Sequence, residues 1–69
     1  MKRRQVIQKL KWKARSEGLE FEVIELTRHT AIRVGSTTKT IGRHSEIPDM
    51  TAVKFFEQYS QELGRGWWR

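Results

Sequence analysis

At 69 residues the chain has room for one small domain, and such a domain buries only roughly 60% of the surface its unfolded chain exposes, leaving little space for an enclosed cofactor pocket beside the core. It contains no cysteine, which excludes disulfides, thiolate zinc sites and a cysteine nucleophile. Fourteen Lys and Arg against eight Asp and Glu give a net charge of +6 and a pI near 10.3; beyond plain solubility, a surplus this large favours a polyanion partner through phosphate contacts and counterion release.

The first predicted element is a helix from about Arg3 to Glu17, because Val6, Ile7, Leu10 and Ala14 make one apolar stripe at three- and four-residue spacing. Gly18 is its natural stop. Residues 19–26 alternate apolar and acidic and predict a strand, with a slip of phase at Val23-Ile24 that signals a bulge or a change of buried face. A second strand is expected from about His29 to Val34, with Thr30, Ile32 and Val34 pointing one way and His29, Ala31 and Arg33 the other. Gly35-Ser36 marks a turn, and Thr38 to Ile41 forms a short third strand. After a loop, Asp49 is the expected N-cap of a closing helix from about Met50 to Leu63, with Gly64 ending it.

The pattern is therefore α+β: a three-stranded antiparallel sheet with two helices packed on one face, in the order α-β-β-β-α. The other sheet face is left to water, and a functional surface is expected there. Residues 1–69 read as one domain with a tail at 64–69. No apolar run exceeds two residues, so no membrane span is expected, and the basic start lacks the apolar stretch of a signal peptide. The cytoplasm is the expected location.

The charges fall in blocks. Residues 1–15 hold seven bases and no acid, residues 17–25 hold four acids, and residues 28–44 hold Arg28, Arg33, Lys39 and Arg43 with no acid. On the first helix, Lys9, Lys11, Lys13 and Arg15 lie off the apolar stripe and either track a phosphate backbone or form a solvated face. Trp12 also lies off the stripe, and packing over the helix edge is expected for it ahead of stacking on a base. One of Trp67 and Trp68 is expected to fold back on the core.

His29, beside Arg28 and on the same strand face as Arg33, has the chemistry of a general acid or base acting on RNA, taking a proton from a ribose 2′-hydroxyl or giving one to the leaving 5′-oxygen. The plain alternative is a solvent-facing strand position. His44 sits in the loop beside Arg43 and either contacts phosphate or is simply polar. Two histidines fifteen residues apart, without cysteine, do not have metal-ligand spacing. No metal and no cofactor are expected.

The element order resembles the double-stranded-RNA-binding fold, although the basic pair that opens that family's second helix is absent from "DMTAVKFF". The segments "VIQKLKWKARSEG", "RHTAIRVG" and "TKTIGRHSEIPDMTAVKFF", with the ending "LGRGWWR", resemble the HicA family of toxins over nearly the whole chain. That resemblance implies a double-stranded-RNA-binding-like fold and a metal-independent endoribonuclease of a type II toxin-antitoxin system that cleaves mRNA. His29 occupies the place of the family's catalytic histidine, which a HicB-type antitoxin covers. Arg28, Arg33, Lys39, Arg43, His44, Lys9 and Lys13 become the expected RNA contacts. Where the family commonly carries a small pair before the histidine, this chain has Thr27-Arg28. The competing expectation is a non-catalytic nucleic-acid-binding module, such as a phage or mobile-element regulator.

Overall fold

The computed structural model describes residues 1–69. Helix α1 spans Arg3–Ser16, followed by strands β1 (Phe21–Glu25), β2 (Thr30–Val34) and β3 (Thr37–Ile41), then α2 (Asp49–Glu57) and a short α3 (Ser60–Leu63). The strands form one antiparallel sheet in the order β1-β2-β3. The α+β arrangement is the expected one. No helix is long and apolar enough to cross a membrane.

Helix α1 buries Val6, Leu10 and Ala14, the stripe legible in the sequence. The Gln5 side chain accepts a hydrogen bond from the Lys2 N–H at 3.0 Å, relieving one of the orphan donors at the helix start. At the other end, Gly18 takes φ +70°, Leu19 N–H reaches Ala14 at 2.9 Å and Gly18 N–H reaches Arg15 at 3.1 Å. These two bonds close the last helical carbonyls in a Schellman arrangement, which needs the left-handed residue that glycine supplies.

The sheet alternates as its period requires. Thr30, Ile32 and Val34 are buried under the helices, while the register sets Glu22 beside Arg33 and Ile24 beside Ala31 on the opposite face. The pairing from Phe21↔Val34 to Glu25↔Thr30 is unbroken, so the expected slip at Val23-Ile24 produces no bulge. Because β1 is an edge strand, Val23 stays 41% exposed on the helix side and Ile24 half-buried on the other, which accounts for the two adjacent apolar residues.

One core joins Val6, Leu10 and Ala14 of α1, Ile32, Val34 and Ile41 of the sheet, and Ala52, Phe55, Phe56, Tyr59 and Leu63 of the closing helices. The closing helix differs from expectation in two ways. Asp49 is its first residue and Pro48 the cap, with no side-chain cap bond. The helix also breaks at Gln58-Tyr59, where Gln58 N–H bonds Phe55 and Tyr59 N–H bonds Phe56 at i→i−3 spacing. Two distant contacts hold that break. The Tyr59 hydroxyl donates to the Ile32 carbonyl at 2.7 Å, and the Trp67 indole donates to the Phe56 carbonyl at 2.8 Å. Burial pushes the Tyr59 phenol above its ordinary range.

Past the break, Glu62 accepts from the Ser36 hydroxyl (2.7 Å), the Ser36 N–H (3.1 Å) and the Thr37 hydroxyl (3.2 Å), pinning α3 to the β2–β3 turn. These donors, the Ser36 hydroxyl first, hold its carboxyl below the ordinary 4.5. A lowered folded-state value stabilises the fold above the unfolded value and is lost as pH falls through the folded one. Glu62→Gln is therefore expected to destabilise near neutrality, with the gap to wild type narrowing below pH 4.5, as urea unfolding at the two pH values would measure. Leu10→Ala, at a fully buried position, is expected to cost about 2–5 kcal/mol. Against a total of about 3–10 kcal/mol for a domain this size, denaturant titration should show the variant partly unfolded.

Candidate nucleic-acid interface

His29 lies in the four-residue turn joining β1 to β2, one position before the strand that was expected to contain it. The Leu26 N–H bonds the His29 carbonyl at 2.8 Å, closing the turn with Thr27 and Arg28 at its tip. Residues 26–29 are all exposed. The His29 imidazole makes no hydrogen bond within the chain, so it meets solvent unencumbered.

The turn is held from below by Arg43. Its guanidinium donates to the carbonyls of Thr27 (3.2 Å), His29 (3.1 Å) and Leu26, and to the Glu25 carboxylate at 3.1 Å. Glu25 also accepts from the hydroxyl of buried Thr30 at 2.7 Å, and Thr30 in turn accepts from Arg3 at 2.5 Å. The Thr30 hydroxyl, and then the charge of Arg43, lower the Glu25 pKa. Arg3 extends the chain of contacts to the Gly42 carbonyl at 3.1 Å. Four elements thus meet at one end of the molecule: the first turn of α1, the end of β1, the start of β2 and the loop after β3.

That junction leaves a cleft of about 410 Å³ lined by Lys2, Arg3, Arg4, Arg43 and Ser45. Four of its five walls are cationic, and none is acidic. Lys2 pairs with Glu46 at 2.9 Å, whereas the exposed Arg4 makes no ion pair. Ser45 is fixed by its carbonyl, which accepts from the Arg3 N–H at 2.9 Å. Guanidinium groups facing a common space are suited to bidentate capture of phosphate oxygens.

The other expected contacts separate into groups. Arg28 is exposed at the tip of the turn, and His44 is exposed beside Arg43 in the loop. Lys9 and Lys13 stand one turn apart on α1. Arg33 lies elsewhere: it bonds Glu22 at 3.1 Å, Glu20 at 3.2 Å and the Gly35 carbonyl at 2.9 Å, at the far end of the sheet from His29. Glu20 and then Glu22 raise its pKa, and its charge is balanced locally. Lys39 pairs with Ile32 in the register, and so stands on the helix-covered side of the edge strand and away from His29's face.

The open sheet face, where a functional surface was expected, is consequently not basic. It carries Glu22, Ile24, Ala31, Thr38 and Thr40 around the neutralised Arg33. Positive charge gathers instead around the start of α1, where Lys2, Arg3, Arg4 and Ser45 join the expected Arg43. The run of bases at 2–4 signals this in the sequence, but its meeting with the loop after β3 depends on long-range packing. No three His, Asp or Glu side chains come together as a metal-ligand group. No protein-family model, curated protein or solved structure matches the chain.

Arg43 holds the His29 turn in place through its backbone carbonyls. Arg43→Ala is expected to loosen the turn by about 1 kcal/mol, the typical net worth of such a bond. Hydrogen exchange of the Leu26 amide should then quicken roughly fivefold, while core amides keep their protection. An unchanged rate would remove Arg43 from that role.

Proposed function

We propose that the protein is a HicA-like toxin, a metal-independent endoribonuclease of a type II toxin-antitoxin system, which binds RNA at the basic end of the fold and cuts it with His29 as general acid or base. The observation that carries this reading is the exposed imidazole on a turn fastened to a wall of the four-base cleft. Arg4 and Arg28, which make no ion pair, would hold the phosphates of the strand, with Arg43 and Lys2 adding positive charge beside them. His29 would take the proton of a ribose 2′-hydroxyl as its oxygen attacks the adjacent phosphorus, or return a proton to the departing 5′-oxygen. Cations in the cleft would stabilise charge that builds on the phosphate oxygens. The chemistry uses side chains alone, and the cytoplasm is the compartment that suits it.

A HicB-type antitoxin is the proposed partner. The open sheet face supports that assignment, because Ile24 is part-exposed on it and Leu26, 46% exposed in the turn, lies close to His29 in the chain. A partner seated there would cover the imidazole.

A second reading, binding without cleavage, is favoured by two observations: Arg33 is occupied by two carboxylates, and no second proton-carrying group bonds the His29 ring. One assay separates the two. With purified protein, labelled mRNA and chelator present, wild type is expected to cleave and His29→Ala to be slower by at least about a hundredfold, with binding retained. Equal cleavage by both would remove His29 from the reaction. Strongly salt-dependent binding without cleavage by wild type would establish the second reading.

A further inference from the structure

Trp12 departs from the sequence expectation of packing: it is 73% exposed on α1, in a domain whose other two tryptophans are tucked against Phe56. It lines a groove of about 450 Å³ together with Lys9, Lys13, Ser16 and Trp67. Trp67 is fixed there by its indole bond to Phe56. The groove therefore has one rigid aromatic wall and one free indole, flanked by two ammonium groups. Lys9 has no carboxylate partner, and Lys13 touches Glu17 only at 4.0 Å. No carboxylate lines the groove.

We propose that Trp12 is a stacking platform for an unpaired base of single-stranded RNA, with Lys9 and Lys13 holding the phosphates on either side of that base. The inference rests on the RNA-binding reading above and names the form of RNA bound. An indole face stacks on any base, so an exposed tryptophan between cations grips a strand without reading its sequence. Paired bases are already stacked on their neighbours and offer the indole no free face. Charge decides the occupant: a strand bearing one phosphate per base complements a surface with two lysines and no acid. At 1.5 Å of rise per residue, Trp12 lies about 12 Å along α1 from Arg4. A few nucleotides cover that separation, so a single strand can occupy the platform and the basic cleft together. Trp12 would anchor the strand while the phosphates near His29 lie in the cleft.

The test uses the full chain and a fluorescein-labelled oligouridylate, with a hairpin duplex as comparison. Trp12→Ala is expected to weaken oligouridylate binding roughly tenfold, since stacking is worth about 1–3 kcal/mol per base. Trp12→Phe should recover most of that loss, and duplex affinity should be unchanged. The salt slope should stay at its wild-type value in Trp12→Ala and fall by about 1 in each of Lys9→Gln and Lys13→Gln. The side chain is exposed, so unchanged thermal unfolding of Trp12→Ala would establish that the fold is retained. Oligouridylate binding equal in wild type and Trp12→Ala would overturn the platform while leaving RNA binding intact. Absence of binding by wild type to either probe would overturn the RNA reading itself and the platform with it. Loss of binding to a purified antitoxin in Trp12→Ala, with RNA affinity unaltered, would assign the groove to a protein and likewise overturn the proposal.

Discussion

The guanidinium of Arg43 has to satisfy three carbonyls of the β1–β2 turn and one carboxylate at the same time, and the arrangement of the basic end follows from that demand. A turn without glycine, at which neither Thr27 nor Arg28 adopts positive φ, cannot close with the paired hydrogen bonds of the tightest hairpins. Its carbonyls need an outside donor. Arg43 provides it from the loop after β3, which draws that loop beneath the turn and brings Ser45 and Glu46 against the first residues of α1. Thr30, Glu25 and Arg3 complete the junction as a chain of hydrogen bonds in which no buried polar atom is left unpaired.

This junction fixes the backbone of the His29 turn although the side chain lies outside the core. His29 contributes nothing to the apolar cluster, and its ring stays in solvent. Its backbone is fixed by a cation that itself borders the basic cleft. The sheet supplies the alternation that keeps Thr30 inside and His29 outside, and α1 supplies the cationic face. Division of labour among the arginines is clear in the same terms: Arg33 stabilises the far end of the sheet against Glu20 and Glu22, Arg3 and Arg43 build the junction, and Arg4 and Arg28 remain available to solvent.

Much of this was legible in the order of residues. Val6, Leu10 and Ala14 followed by Gly18 define α1 because helical periodicity and its stop are local properties. The alternation in β2 is equally local, and it correctly separates Ile32 from His29. The broken closing helix was not legible, because the bonds that hold the break come from Ile32 and Trp67, 27 and 11 residues away from their partners. Arg33 illustrates the same difficulty in the candidate site. Its neighbours in sequence are uncharged, and only the strand register reveals that Glu22 stands opposite it. Trp12 was misread for a related reason. The tail's indoles pack on Phe56, and Trp12 is left 73% exposed on α1.

The opening turn of α1 carries Arg3 and Arg4 after Lys2 and contains no acidic residue. Cations there oppose the positive end of the helix dipole as well as one another, a repulsion that the Lys2–Glu46 pair offsets only in part. A polyanion bound there would relieve that repulsion and raise resistance to unfolding by mass action. On the proposed RNA-binding reading, thermal robustness and affinity would be opposed in this segment: substitutions that calm the helix start would make a sturdier molecule and a poorer binder. Selection for activity would preserve a weakness that selection for rigidity would remove.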